Sequence, residues 1–329
     1  MAIEKVRWGI IGCGDVTEKK SGPGFQKVEG SELVAVMRRN AEKAADYAAR
    51  HGVPRWYDDA DDLIADEEVD AVYIATPPAS HPEYTYKAAR AGKPVYVEKP
   101  MALDASSAEK MVSACEEAKV PLFVAFYRRA LPRFLKIKEL LDSGRIGEVR
   151  SVHITLYQQP HEGDEDHELP WRVRPEIAGG GYFVDLATHT LDFLDYLLGP
   201  VAQAEGRAVN RAGLYPAEDT VSALLSFESG AVGSGTWCFT AGTEKDETEL
   251  IGSDGVLRFS SFDEEPIAVE SEGVVERFSL ANPEHVQQPL IQKVVEELRG
   301  KGSCPSTGGS ALRTVRVTDA ILKNYYRRS

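Results

Sequence analysis

The sequence predicts an α/β protein in two parts: an N-terminal parallel sheet covered by helices on both faces, then a mainly antiparallel sheet with helices on one face. Three observations lead there. The chain has 329 residues, more than one core usually holds, since domains cluster near roughly 100 to 150 residues. From Val6 to about Phe126, short apolar runs alternate with helical patterns, as in strands and helices wound in turn. After Phe126 the runs alternate apolar with polar residues and follow one another at hairpin spacing, as antiparallel strands buried on one face do. The expected division is 1–126 and 127–329.

In the first part, strands are expected at Ile10-Ile11, Leu33 to Met37, Ala71 to Ala75, Val95 to Val97 and Leu122 to Phe126, each bounded by Gly, Pro or charged turns. Asn40 can cap a helix whose Ala41, Ala44, Ala45, Ala48 and Ala49 share one face before Gly52 stops it. Asp104 can cap another that buries Ala108, Met111, Val112 and Cys115. Ser21-Gly22-Pro23-Gly24 interrupts the first helix, because proline lacks the interior amide hydrogen bond. A broken or shortened helix is expected there.

In the second part, a helix through Phe134, Ile137 and Leu141 ends at Gly144, and the strand Val152 to Leu156 follows. Thr220 to Phe227 and Ala231 to Phe239 flank the turn Glu228-Ser229-Gly230. Glu249 to Ile251 and Val256 to Phe259 flank Gly252-Ser253-Asp254-Gly255. Helices over Glu284 to Leu298 and Ser310 to Tyr326 close the sequence.

Composition removes several functional classes. A formal charge of −14 opposes a phosphate backbone, whose binding needs clustered Lys and Arg, so nucleic acid is not an expected partner. The four cysteines lie far apart with no CxxC pair, so neither a zinc site nor a disulfide framework is expected. No apolar run approaches the ~18 residues that cross a bilayer, and Val6 to Ile11 opens a strand without a signal-peptide pattern. The expectation is a cytoplasmic protein with no membrane partner.

Gly12-Cys13-Gly14 follows the first strand directly, where glycines let the backbone N–H groups of a turn approach a pyrophosphate at a helix N-terminus. Gly12, Gly14, Asp15 and Val16 are thus the candidate phosphate-side residues of a Rossmann dinucleotide site. The third fingerprint position is Thr17, where the full pattern wants Gly or Ala. At the end of the second strand, NAD-specific sites place an acid for the ribose 2'-hydroxyl. This protein has Arg38 and Arg39 instead, and a guanidinium suits a 2'-phosphate, so NADP(H) is favoured with NAD(H) as the other option.

Three later segments carry chemistry. Lys99 of Glu98-Lys99-Pro100 falls beyond a strand's carboxyl end, where open parallel sheets bind ligands. Trp171-Arg172 precedes a glycine run, and that run leads into Asp185 and His189. Four residues apart on a helix, these share one face, so the carboxylate can orient the imidazole or tune it.

In these motifs and their order the sequence resembles the glucose-fructose oxidoreductase, inositol dehydrogenase and rhizopine-catabolism family (Gfo/Idh/MocA). The glycine loop, Ala75-Thr76-Pro77-Pro78-Ala79-Ser80-His81, Glu98-Lys99-Pro100, Trp171-Arg172 and the glycine-rich Asp-x-x-x-His segment together carry the likeness over nearly the whole length. The resemblance implies an N-terminal Rossmann parallel sheet plus a C-terminal α/β domain with a large, mainly antiparallel open sheet. It implies Lys99, Asp185 and His189 as the catalytic set, and Thr76, Pro77, His81, Glu98, Trp171 and Arg172 lining the cofactor. The activity it implies is an NAD(P)-dependent dehydrogenase or reductase acting on CH–OH groups of a sugar-like polyol, in a homodimer or homotetramer. Two rival classes are a non-catalytic NADP(H)-binding sensor and a glycosidase that uses a held NAD as an internal redox relay.

The acidic run from His161 to Glu168 matches no standard zinc spacing and reads as a solvated loop rimming the substrate pocket, so no metal is expected. His285 reads as a capping or packing residue, His51 and His153 as structural. Tyr127, Arg128 and Arg129 read either as substrate-side groups or as a hinge ion pair.

Overall fold

The computed structural model describes residues 4–164 and 168–326. Two compact units emerge: the residues up to Leu131 together with Asn282–Leu312, and Pro132–Ala281 together with the residues from Arg313 on. Residues 127–131 and 282–312 thus pack with the first unit, although sequence continuity keeps everything after 126 together. The reason is the helix Gln288–Leu298, whose Leu290, Ile291, Val294 and Val295 are fully buried in the same cluster as Trp8, Phe25, Tyr73 and Tyr96.

The first unit holds six strands: β1 (Val6–Ile11), β2 (Ser31–Met37), β3 (Arg55–Tyr57), β4 (Ala71–Ile74), β5 (Val95–Val97) and β6 (Leu122–Val124). They form one parallel sheet in the order β3-β2-β1-β4-β5-β6, the doubly wound Rossmann order. The sequence pattern does not announce β3. It has only three residues, at the sheet edge, and its Trp56 is 45% exposed, so no apolar run marks it.

Local signals set the helices as the sequence predicts. The Asn40 side chain accepts from Lys43 N at 2.9 Å to start Ala41–His51, and Gly52 ends it in the left-handed region. The Asp104 side chain accepts from Ser107 N at 2.7 Å to start Ala105–Glu117. The first helix is indeed broken, into Asp15–Lys19 and Gly22–Lys27. At the break the chain passes so close to the first helix that only glycine fits, since a Cβ on Gly22 would sit 2.1 Å from Thr17 O. His285 pins the same place, being nearly buried, with Nδ1 donating to Lys19 O at 2.7 Å and Nε2 accepting from Lys27 Nζ at 2.6 Å. It is the capping and packing residue the sequence indicates.

The second unit holds β7 (Val149–Tyr157), β8 (Val201–Val209), β9 (Thr220–Phe227), β10 (Val232–Cys238), β11 (Lys245–Gly252), β12 (Gly255–Phe259), β13 (Ile267–Ser271) and β14 (Val274–Phe278). Their order is β14-β13-β12-β11-β7-β10-β9-β8, with β7 and β10 parallel and every other pair antiparallel. One face is buried. Phe134 and Phe193, from the helices Pro132–Asp142 and Thr188–Leu198, meet Phe259 of β12 with ring centroids 5.9 to 6.3 Å apart. On β9, Ala223 and Leu225 are buried while Leu224 between them is 65% exposed, the period-2 pattern of a sheet covered on one side. Among the described residues, no helix is long and apolar enough to cross a membrane.

Candidate active site

Each unit carries its own constellation. In the first, Gly12 follows β1 with φ of +93°, and a Cβ there would lie 2.6 Å from Thr76 Cγ2, so glycine alone fits. Gly12 and Cys13 N–H groups both donate to Met37 O, at 2.9 and 3.1 Å, which locks the turn to the end of β2. A Cβ on Gly14 would meet nothing nearer than 3.9 Å, so space opens at the second glycine. Asp15 and Val16 follow at the start of the short helix, exposed and partly exposed.

Thr17, the departure from the Gly/Ala pattern, is fully buried and completes the turn itself. Its Oγ1 accepts from Gly14 N at 3.0 Å and lies 2.7 Å from Gly14 O. Its own carbonyl accepts from Tyr47 OH at 2.9 Å. Arg38, at the end of β2, donates from Nη1 to Cys13 O at 3.3 Å, which lays a guanidinium against the glycine turn. Arg39 is exposed.

Thr76 and Pro77 follow β4, and Thr76 borders this turn, with Ser80 Oγ 2.8 Å from Thr76 Oγ1. His81 is fully buried and ties two stretches of backbone together. Its Nε2 lies 2.7 Å from Thr76 O, and its Nδ1 3.1 and 3.2 Å from Pro100 O and Met101 O. Burial pushes its pKa down to about 4, so the ring is neutral near pH 7 and joins the strand ends on either side of the site.

Glu98 and Lys99 follow β5, and the Lys99-Pro100 peptide bond is cis. Glu98 is 8% exposed. Its Oε1 lies 2.5 Å from Tyr73 OH and accepts from Gln287 Nε2 at 2.6 Å, while its Oε2 accepts from Lys99 N at 3.2 Å. Burial, and then the Glu98 charge, hold the Tyr73 hydroxyl well above its usual range, so it stays protonated as a donor. Arg129, also nearly buried, donates to Pro305 O at 3.0 Å within this unit.

In the second unit, Trp171 and Arg172 share a 3-10 turn. The Arg172 guanidinium carbon lies 4.6 Å from the Trp171 ring centroid, and its Nε lies 3.2 Å from Asp185 Oδ2. The glycine run is needed for close approach. Gly179 ends the helix Pro175–Ala178 with φ of +82°, and a Cβ on Gly181 would lie 2.8 Å from Glu218 O. In that space the fully buried Glu218 accepts from Gly181 N at 2.9 Å and from Tyr326 OH at 2.5 Å.

Asp185 lies in a π-helical turn, Phe183–Ala187, which passes into the α-helix that begins at Thr188 and carries His189. The two residues therefore bridge a π-to-α junction rather than one regular α-helical face, and such wide turns recur at functional sites. His189 is 4% exposed, with its ring centroid 6.1 Å from that of Phe262.

The loop before Trp171 corrects one expectation. Asp164, read as part of a solvated run, is fully buried; it accepts from Tyr182 OH at 2.6 Å and from His161 N at 2.8 Å. The His161 ring stands 4.4 Å from that of Tyr182. Glu165, Asp166 and His167 of the same run lie outside the described residues.

The geometry brings Gly12, Gly14, Arg38, Thr76 and Pro77 together in one unit and Trp171, Arg172 and Asp185 in the other. Sequence reasoning misses the supporting groups Thr17, Tyr73, Gln287, Asp164 and Glu218. Only Thr17 has a signal, its place in the fingerprint.

Comparison with known proteins agrees with this arrangement. Residues 6–126 match the oxidoreductase family with an NAD-binding Rossmann fold (Gfo/Idh/MocA), and residues 134–258 match the C-terminal domain of the same family. The sequence is 43% identical over 318 residues to Oxidoreductase P35 of Formosa agariphila, covering 96% of this protein and 98% of that one. It is 31% identical over 275 residues to inositol 2-dehydrogenase of Rhizobium meliloti, covering 80% and 78%. The crystal structure of the WlbA dehydrogenase from Bordetella pertussis, in complex with NADH and UDP-GlcNAcA, superposes with a TM-score of 0.84 at 27% identity over 99% of this protein and 97% of that one. With a Rossmann unit and its glycine turn, an open-sheet unit and its Asp-x-x-x-His segment, and matches to both halves of one family, this protein belongs to the Gfo/Idh/MocA oxidoreductases.

Proposed function

We propose that this oxidoreductase transfers a hydride between NADP(H) and the CH–OH carbon of a sugar, cyclitol or similar polyol, with Lys99, Asp185 and His189 as its catalytic groups. The observation that carries the reading is the ion pair of Arg172 with Asp185, on a π turn that leads into the buried His189. The name of the inositol 2-dehydrogenase relative supports the substrate class.

The first unit fits a dinucleotide. The turn has open space at Gly14 that a side chain would fill, and Arg38 brings a cation to its rim. A nicotinamide bound there supplies the hydride chemistry; the protein supplies orientation and electrostatics. His189 holds and moves the proton of the substrate oxygen as general acid or base. Lys99 presents a positive charge or hydrogen bond as oxyanion character develops on that oxygen. Asp185, its own orientation fixed by Arg172, orients the substrate or the His189 ring. The partly apolar outer sheet face, with Leu224 65% and Val232 54% exposed, supports a homodimer or homotetramer.

Cofactor choice is tested at Arg38. A 2'-phosphate gains charge-assisted bonds from a guanidinium that Cys13 O already orients, and no carboxylate stands at the end of β2 to accept from a ribose hydroxyl. Arg38→Asp is expected to weaken NADPH by about 2 to 5 kcal/mol if the contact is desolvated, and less if solvent screens it. NADH binding is expected to stay level or improve. Fluorescence titration of both reduced cofactors decides it, and a parent that binds NADH at least as tightly as NADPH refutes the preference.

A further inference from the structure

Lys99 leaves the sheet just after β5, and its backbone amide is held by the residue before it: Glu98 Oε2 accepts from Lys99 N at 3.2 Å. The other oxygen of that buried carboxylate takes two donors from far along the sequence, Tyr73 OH at 2.5 Å and Gln287 Nε2 at 2.6 Å. Gln287 is 1% exposed. Its Oε1 accepts from Tyr96 OH at 3.3 Å, and its own amide donates to Lys20 O at 3.2 Å, at the end of the short helix that follows the glycine turn. Ser21 Oγ, one residue on, lies 3.1 Å from Tyr73 OH.

Two paths of hydrogen bonds therefore run from the end of that helix to the peptide that carries Lys99, and they meet at Glu98. The Gln287 side chain has a nearer use that it does not serve. It stands at the N-cap of Gln288–Leu298, where side chains usually accept from the first helical amides, yet it makes no capping bond there. Nor does core packing call for the pair, since burying a carboxylate and an amide costs desolvation that two apolar side chains avoid. With Oε1 fixed by two donors, the carboxylate is held from swinging its Oε2 off the Lys99 amide; one donor alone leaves that rotation open.

We propose that Gln287 is a positioning residue for Lys99: through Glu98 it sets where the lysine's backbone stands relative to the glycine turn. The inference rests on the reading of Lys99 as the group that meets the substrate oxygen. An error of about 1 Å in the placement of such a group can cost on the order of a hundredfold in rate. Cofactor affinity is less exposed to the change, because the Gln287 amide keeps its bond to Lys20 O whatever the side chain.

The test uses the full-length protein with NADPH or NADH, whichever the parent binds more tightly. Gln287→Leu is expected to lower kcat by roughly ten- to a hundredfold on whichever of myo-inositol, D-glucose and D-xylose the parent turns over best, with the cofactor Kd within about threefold of the parent's. Hydrogen exchange at the Lys99 amide is expected to quicken in the same variant. Gln287→Glu brings two carboxyls into contact. The other titratable groups that face them, Tyr73 and Tyr96, stay protonated because burial lifts both well above their usual range. The two carboxyls therefore share one proton at acidic pH, which restores the donor, and repel once both ionise. The kcat of this variant relative to the parent should thus fall as pH rises, a readout that also holds if the leucine variant misfolds. Parental kcat in Gln287→Leu, a loss confined to cofactor binding, unchanged exchange at Lys99, or a Gln287→Glu ratio that is flat with pH each overturns the inference. Near-parental kcat in Lys99→Met, or no turnover by the parent, contradicts the functional reading of Lys99 instead, and exchange at the Lys99 amide then reports whether Gln287 holds it.

Discussion

His189→Ala is expected to reduce turnover by about 10²- to 10⁴-fold, the usual contribution of a positioned general acid or base. Dinucleotide affinity should change little, because the glycine turn and Arg38 belong to the other unit. Lys99→Met and Asp185→Asn are expected to act in the same direction, lowering kcat and kcat/KM together as losses of transition-state interactions do. The effects should not add, since groups that act as one unit fail together. Steady-state kinetics beside cofactor titration separate the cases. Near-parental turnover in His189→Ala would remove the acid/base assignment, and lost cofactor binding would mark a structural role instead.

The second large effect is expected in stability, at Glu218. Its fully buried carboxylate accepts from the Gly181 amide and the Tyr326 hydroxyl, so Glu218→Leu leaves two donors facing an apolar side chain. Each buried donor left unmet costs about 1 to 3 kcal/mol, so a loss of about 2 to 6 kcal/mol is expected. Glu218→Gln keeps an acceptor and should lose markedly less. Because Gly181 lies four residues before Asp185, the leucine variant should also lose turnover. Urea denaturation gives the comparison, and equal midpoints for parent and Glu218→Leu would show that this carboxylate does not hold the turn.

Where a structural cause acts within a few residues, the sequence displays it. The Asn40 and Asp104 caps, the Gly52 stop, the Ser21–Gly24 break and the β9–β10 hairpin all rest on local geometry that residue type controls. β3, β8, β13 and β14 escape a sequence reading for a related reason. β3 is too short and exposed to show an apolar run, and Val274 and Val275 of β14 are themselves exposed, so alternation never marks a buried face there. Nor can periodicity show that Gln288–Leu298 returns to the first unit, because an apolar helix face does not name the core it joins.

The same division runs through the candidate site. Its motif residues stand out because a glycine turn, a lysine after a strand and an Asp-x-x-x-His spacing are unusual in combination. The groups that hold them do not. Asp164 sits in His-Glu-Gly-Asp-Glu-Asp and Glu218 in Pro-Ala-Glu-Asp, contexts that read as solvated, yet both are fully buried because distant tyrosines and amides complete their hydrogen bonds. A carboxylate's burial is decided by such partners, and those lie far away in sequence.

The most direct test of hydride transfer as the central claim is a substrate panel of sugars, cyclitols and their oxidised forms, each mixed with both cofactors and followed at the absorbance of the reduced nicotinamide. A steady change is expected with at least one of them, larger with NADP(H) than with NAD(H), and nearly abolished in His189→Ala. No change across the panel, or release of a sugar from a glycoside with no net change in that absorbance, would contradict it.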